Sequence, residues 1–247
     1  MFVDTTDNAF DVGNWMLNYN GFFPLISIIT EPAVDNGIGM GLLFLKQDKD
    51  ALAKGKHVAP TIYGIGGLYT FNDSWGVVGF YSGVWKQDKI RYIGALGYTS
   101  VNLNYYRTIF TGDELKLSFN LKGLLFLQEI AFRLKDSRYF VGGKYTYFNY
   151  KAKFNLPELP IDIPVPERDG SIGGIGPIIY YDNRDFTKTP NKGIRWYLQY
   201  AYNDSWLGSD FKYNRVDAYG TAFFDVIPKL VMGFRACLLY TSDAADD

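Results

Sequence analysis

The chain has 247 residues with 25 Lys plus Arg against 26 Asp plus Glu, so no charge excess points to nucleic acid. Aromatics make up 18% of it, with 20 Tyr and 19 Phe beside 26 Gly; that is too apolar for a disordered chain. It is also an odd mixture for a soluble enzyme, because glycine weakens strands unless backbones bend or approach closely. No window nears the roughly 18 apolar residues of a transmembrane helix, which leaves open a closed barrel, the other structure able to cross a bilayer.

Residues 1–20 form a polar lead-in, and Met1–Asn8 lacks the basic and apolar regions of a secretory leader. An outer-membrane protein needs such a leader, so on that reading an earlier start is expected. Phe22–Ile29 predicts a first strand, stopped at Glu31-Pro32, and Gly37–Lys46 a second, with Gly37, Gly39 and Gly41 on one face. Gln47–His57 is charged and loop-like. Ala59–Phe71 and Trp75–Lys86 pair through Asn72-Asp73-Ser74, and Arg91–Tyr106 follows a turn at Asp88-Lys89.

The clearest alternation is Leu115–Leu121, apolar at 115, 117, 119 and 121 and polar between, and it extends past Gly123 to Leu127. Its period is two. Asp136-Ser137 turns the chain into Arg138–Phe154, and four prolines (157, 160, 164, 166) make a loop of Asn155–Asp169. Gly170–Tyr181, Ile194–Asn203, Phe211–Phe224 and Lys229–Leu239 bring the total to eleven strands, with no helix predicted. Such a series folds as a soluble sandwich, a propeller or a membrane barrel.

Tryptophan spacing favours the barrel. Trp75 and Trp85 lie ten residues apart with equal parity, and so do Trp196 and Trp206. Ten strand residues span about 33 Å; tilted, they match the roughly 25 Å apolar band of an outer-membrane barrel between its two aromatic girdles. The alternative is four tryptophans in the core or surface of a soluble β protein. Residues 237–247, CLLYTSDAADD, resemble translated adaptor sequence and are set apart from the 21–236 barrel region; the one cysteine, Cys237, lies there and offers no disulfide framework.

The densest motif is Gly173–Gly193: a glycine-rich strand ending in two tyrosines, then Asp182, Arg184 and Asp185, then Pro190 and Gly193 before the next strand. Two carboxylates beside a guanidinium suit a charge-assisted network tying a strand end to a turn. A catalytic role would need a partner acid or base in a cleft, and none is near in sequence. His57, the only histidine, lies in a Lys-rich loop (Lys54, Lys56) with no G-x-S-x-G elbow. One His and one Cys cannot hold zinc without carboxylate partners, and no glycine cluster completes G-x-G-x-x-G. No catalytic residue, cofactor or metal is expected. Arg91, Arg107, Arg133, Arg138, Arg195, Arg215 and Arg235 are spread along the strands, as a polar lumen or a solvated face would have them.

The D-x-R-D…P-x-x-G strand–turn–strand resembles that of the BamA/TamA family of outer-membrane β-barrels, the bacterial surface antigen family; the similarity is best over Gly173–Ala236. It implies an all-β, antiparallel up-and-down barrel in a Gram-negative outer membrane, with about eleven of sixteen strands here. Phe186–Lys192 would be a periplasmic turn, Asp204–Asp210 and the Pro-rich loop extracellular, and Val226–Lys229 periplasmic. The family's inward-folding V-R-G-F loop is not in this sequence. The resemblance also implies a role in inserting or translocating outer-membrane proteins, by strand addition at the seam beside Phe22–Ile29. Its partners would be the lipid bilayer and nascent outer-membrane proteins. A transport or structural barrel without insertase activity stays open, as does a barrel enzyme.

Overall fold

The computed structural model describes residues 20–47, 59–108, 114–155, 168–185, 190–227 and 230–243. Eleven strands make one sheet in strict chain order, each antiparallel to the next. They are β1 (Gly21–Glu31), β2 (Asp35–Lys46), β3 (Thr61–Thr70), β4 (Trp75–Trp85), β5 (Ile90–Thr108), β6 (Glu114–Arg133), β7 (Tyr139–Asn155), β8 (Arg168–Asp182), β9 (Gly193–Asn203), β10 (Tyr213–Ile227) and β11 (Leu230–Asp243). The sheet is open, with β1 and β11 at its edges. The eleven predicted strands all form. Beyond them, the described residues hold one 3-10 turn, Ser205–Leu207.

Period-two patterning divides the side chains between two faces. Trp75 of β4 pairs with Ser100, Ser100 with Lys122, and Lys122 with Lys151, while Trp85 pairs with Ile90, Ile90 with Phe132 and Phe132 with Val141. Between those two rows the Trp-bearing face of the strands carries a single Asp, Glu, Lys or Arg among the described residues, Lys46 at the end of β2. It is instead a broad exposed field of residues such as Ile26, Met40, Ile65, Leu96 and Leu198. Its central amide, Gln128, accepts the Tyr92 hydroxyl. Apolar surface on this scale marks contact with something apolar.

The other face is concave. Arg91 of β5 reaches Asp182 of β8 at 3.2 Å, and Tyr197 of β9 reaches Glu129 of β6 at 3.1 Å. In a flat sheet, strands three places apart stand about 14 Å from each other, so the sheet must curl towards this side. The small core lies here too: Ala131, Phe140, Ile178, Tyr180 and Tyr197.

Two details depart from the sequence pattern. Pro177 lies in a central strand, where the missing N–H should weaken a ladder. It pairs with Gly143 on one side, but the β8–β9 pairs lapse between Ile175 and Ile178. And β11 runs beyond Ala236, with Cys237 opposite Tyr219 and Asp243 opposite Tyr213, so residues 237–243 continue the ladder.

Candidate functional site

The turns β4–β5, β6–β7 and β8–β9 lie at one end of the sheet, and there the concave face gathers an ion-pair cluster. Lys86, Gln87 and Asp88 take left-handed φ of 52°, 57° and 68°. They fold the turn so that Asp88 faces two arginines. Its carboxylate takes Arg91 Nε at 2.6 Å and Arg91 NH2 at 2.8 Å, and it also accepts from Arg133 NH2. Arg133 in turn donates to the carbonyls of Asp88 and Ser137, both at 2.9 Å, stitching two turns together.

The D-x-R-D residues join the same cluster. Asp182, the last residue of β8, accepts Arg184 Nε at 2.8 Å and NH2 at 3.0 Å, a forked pair, as well as Arg91. Asp185 works on the turn itself: its Oδ1 accepts the N–H groups of Asn191 and Lys192 at 3.1 and 3.2 Å. Pro190 just precedes these two donors; residues 186–189 lie outside the described residues. Gly193 opens β9 at φ +113°, and a Cβ there would stand 2.7 Å from Arg184 Cα. Only glycine meets both conditions. The motif residues are therefore one unit in space, around a polar hollow of about 610 Å³ that Arg133, Arg138 and Lys192 also line.

Above the cluster runs a ladder of rings across four strands. Phe140 stacks on Tyr180 at 4.8 Å, Tyr180 on Tyr197 at 6.1 Å, and Tyr197 on Tyr219 at 5.0 Å. Guanidiniums sit over these rings: Arg91 and Arg133 lie 4.1 and 4.4 Å from the Phe140 centroid, and Arg195 lies 5.7 Å from both Tyr180 and Tyr219. Such contacts are worth about 0.5–2 kcal/mol each. The Arg195 Nε is buried with no hydrogen-bond partner among the described residues.

The tryptophans are placed differently from one another. Trp75 and Trp85 end β4 on the uncharged face; Trp75 packs against Tyr98, and Trp85 stacks on Tyr92 and donates to the Tyr81 hydroxyl at 3.1 Å. Trp196 lies on the same face beside Tyr181 and Tyr139, at the end that holds the cluster. Trp206 is not on a strand. The chain leaves β9 at Asn203, Asp204 caps the 3-10 turn through the Ser205 N–H at 2.6 Å, and Trp206 is exposed on that turn.

Outside the strands, Asp204 has its carboxyl held below the usual carboxylate range. The Tyr202 hydroxyl that donates to it is the main cause; burial opposes the shift, and Ser205 and Lys212 assist it. Asp88, Arg91 and Arg133 form a network that sequence alone left as one turn and scattered arginines. The available signal was the D-x-x-R spacing across that turn. Among the described residues no group of three His, Cys, Asp or Glu could hold a metal ion. His57 lies outside the described residues.

The chain matches no protein-family model and no curated protein sequence. Among solved structures it is similar to BamA from Haemophilus ducreyi lacking POTRA domains 1–3, at a TM-score of 0.56 and 15% identity. The likeness covers 92% of this chain and 42% of that one. The fold of the chain is thus that of a stretch of the BamA outer-membrane β-barrel.

Proposed function

We propose that this chain is an integral outer-membrane barrel of the BamA type that works in the assembly or translocation of outer-membrane proteins. The observation that carries the membrane reading is the nearly uncharged face between the Trp75 and Trp85 rows. Clearing a field that size of every charge but Lys46 at a strand end has a purpose in lipid and none in water. The ion-pair cluster and ring ladder act as a structural clamp at the periplasmic end, because their carboxylates are occupied by arginines and the turn backbone, not by a reacting partner.

The assembly reading is supported by β1. It lies at a sheet edge and is apolar on both faces, with Leu25 and Ile29 on one side and Ile26 and Ile28 on the other. The edge strand of a sheet can template an incoming strand. The test is disulfide crosslinking in a Gram-negative outer membrane, in a Cys237→Ser background, between Ser27→Cys on β1 and cysteines in nascent barrel proteins. Adducts at Ser27→Cys and none at Ala131→Cys, deep in the sheet, are expected. Equal labelling of both, or of neither, would favour a transport or structural barrel.

A further inference from the structure

The concave face has a second region unlike the ion-pair end. Leu25, Gly41, Gly66, Val78, Gly97 and Leu125 lie side by side in one ladder row from β1 to β6. With Gly39 and Leu68 in the next row, they line an apolar hollow of about 620 Å³, well within the roughly 300–1,000 Å³ of small-molecule sites.

Three of its glycines, Gly39, Gly41 and Gly66, differ from others in the sheet. A Cβ on Gly142 would lie 1.8 Å from the Ile130 carbonyl oxygen, on Gly173 1.9 Å from that of Leu207, and on Gly176 1.8 Å from that of Tyr200. Those three are forced by close backbones. At Gly39, Gly41 and Gly66 the nearest atoms stand at 3.6, 3.7 and 3.4 Å, which is ordinary contact, and none of the three has a positive φ. A side chain would fit, and glycine weakens a strand interior. Neither sterics nor backbone conformation accounts for three adjacent glycines, whereas open space above them does.

The lining decides what fills that space. Strands β2–β6 beneath the hollow are paired on both sides, so their ladders offer no free donor or acceptor, and only β1 lies at an edge. The Thr99 hydroxyl is engaged with the Trp75 carbonyl at 3.1 Å. A polypeptide laid here would leave its own amides unpaired, at a large desolvation penalty; a hydrocarbon chain has none to satisfy. The five inter-strand steps from β1 to β6 give a trough about 24 Å long. Its β1 end, at Leu25 and Ile29, adjoins the apolar outer face across a strand that is apolar on both sides.

We infer that the glycine trough holds an acyl chain of a membrane lipid, which reaches it around the β1 edge. The inference rests on the outer-membrane reading above, and its test separates the two. The full chain is folded into phosphatidylethanolamine–phosphatidylglycerol vesicles containing a phospholipid with a diazirine in its acyl chain, then irradiated and mapped by peptide. Adducts are expected on Leu68 and Val78 of the concave face as well as on Ile65 and Val77 of the outer face. In Gly41→Val/Gly66→Val the concave adducts should fall at least tenfold, with outer adducts unchanged. Wild-type adducts confined to the outer face would overturn the trough and leave the membrane reading intact; adducts on neither face would overturn both. Undiminished concave adducts in the filled variant, with slower amide exchange in β1 and β2, would assign the glycines to hinge flexibility instead. If the valine variant does not enter vesicles, competition by excess unlabelled palmitate decides: concave adducts that do not fall reject the site.

Discussion

At the scale of single residues, the cluster concentrates its demands on a few positions. Asp182 is buried under two arginines, and removing one partner of a buried ion pair typically costs about 3–5 kcal/mol. Asp182→Ala should lower the urea midpoint of the vesicle-folded protein by an amount in that range, and Asp185→Ala, whose bonds go to exposed turn amides, by much less. Gln87 is the opposite case: a non-glycine residue at φ 57°, where the left-handed conformation costs roughly 1–2 kcal/mol. Gln87→Gly should raise the midpoint; an unchanged or lower value would mean that the turn is not strained there. Asp204 carries the pH dependence. Its carboxyl titrates lower in the folded chain than in the unfolded one, so its contribution is present above the ordinary carboxylate value, near 3.9. That contribution is lost as pH falls through the lowered one. Amide exchange at Leu207, Gly208 and Ser209, whose N–H groups bond back to Asp204 and Ser205, should quicken relative to the strands below about pH 4. Asp204→Asn should show the quickening already at pH 7.

At the scale of elements, the strands were legible because a two-faced strand repeats every two residues, and Leu115–Leu127 continues without a break into the observed Glu114–Arg133. What was not legible is where side chains from distant strands converge. Arg91 and Asp182 are 91 residues apart and meet only because the sheet curls; no local spacing encodes that. Trp206 falls in the Asp204–Asp210 connection expected from the sequence, on a 3-10 turn that the Asp204 side chain caps. Within the D-x-R-D unit, by contrast, the bonds from Arg184, Lys192 and Ile194 span at most eleven residues. The ring ladder sets a further expectation. Phe140 is fully buried, so Phe140→Ala should cost about 3–5 kcal/mol, while Trp206→Ala on its exposed turn should change the midpoint hardly at all. Similar effects from the two would contradict a core built on the concave side.

For the whole molecule, the sheet inverts the usual arrangement of a soluble β protein: its polar, ion-paired groups gather on the concave side and its largest uncharged field faces out. That inversion, together with the shared fold of the BamA barrel, supports the proposal that the chain lies in an outer membrane. The most direct test is a cysteine scan of β10 in vesicles, in the Cys237→Ser background, because its small side chains admit the substitutions. Ala218, Gly220 and Ala222 lie on the uncharged face, and Asp217 and Thr221 on the concave one. Cysteines at 218, 220 and 222 should react with a bilayer-confined maleimide and resist a water-soluble one, and those at 217 and 221 should do the reverse. Labelling of all five by the water-soluble reagent would contradict the account.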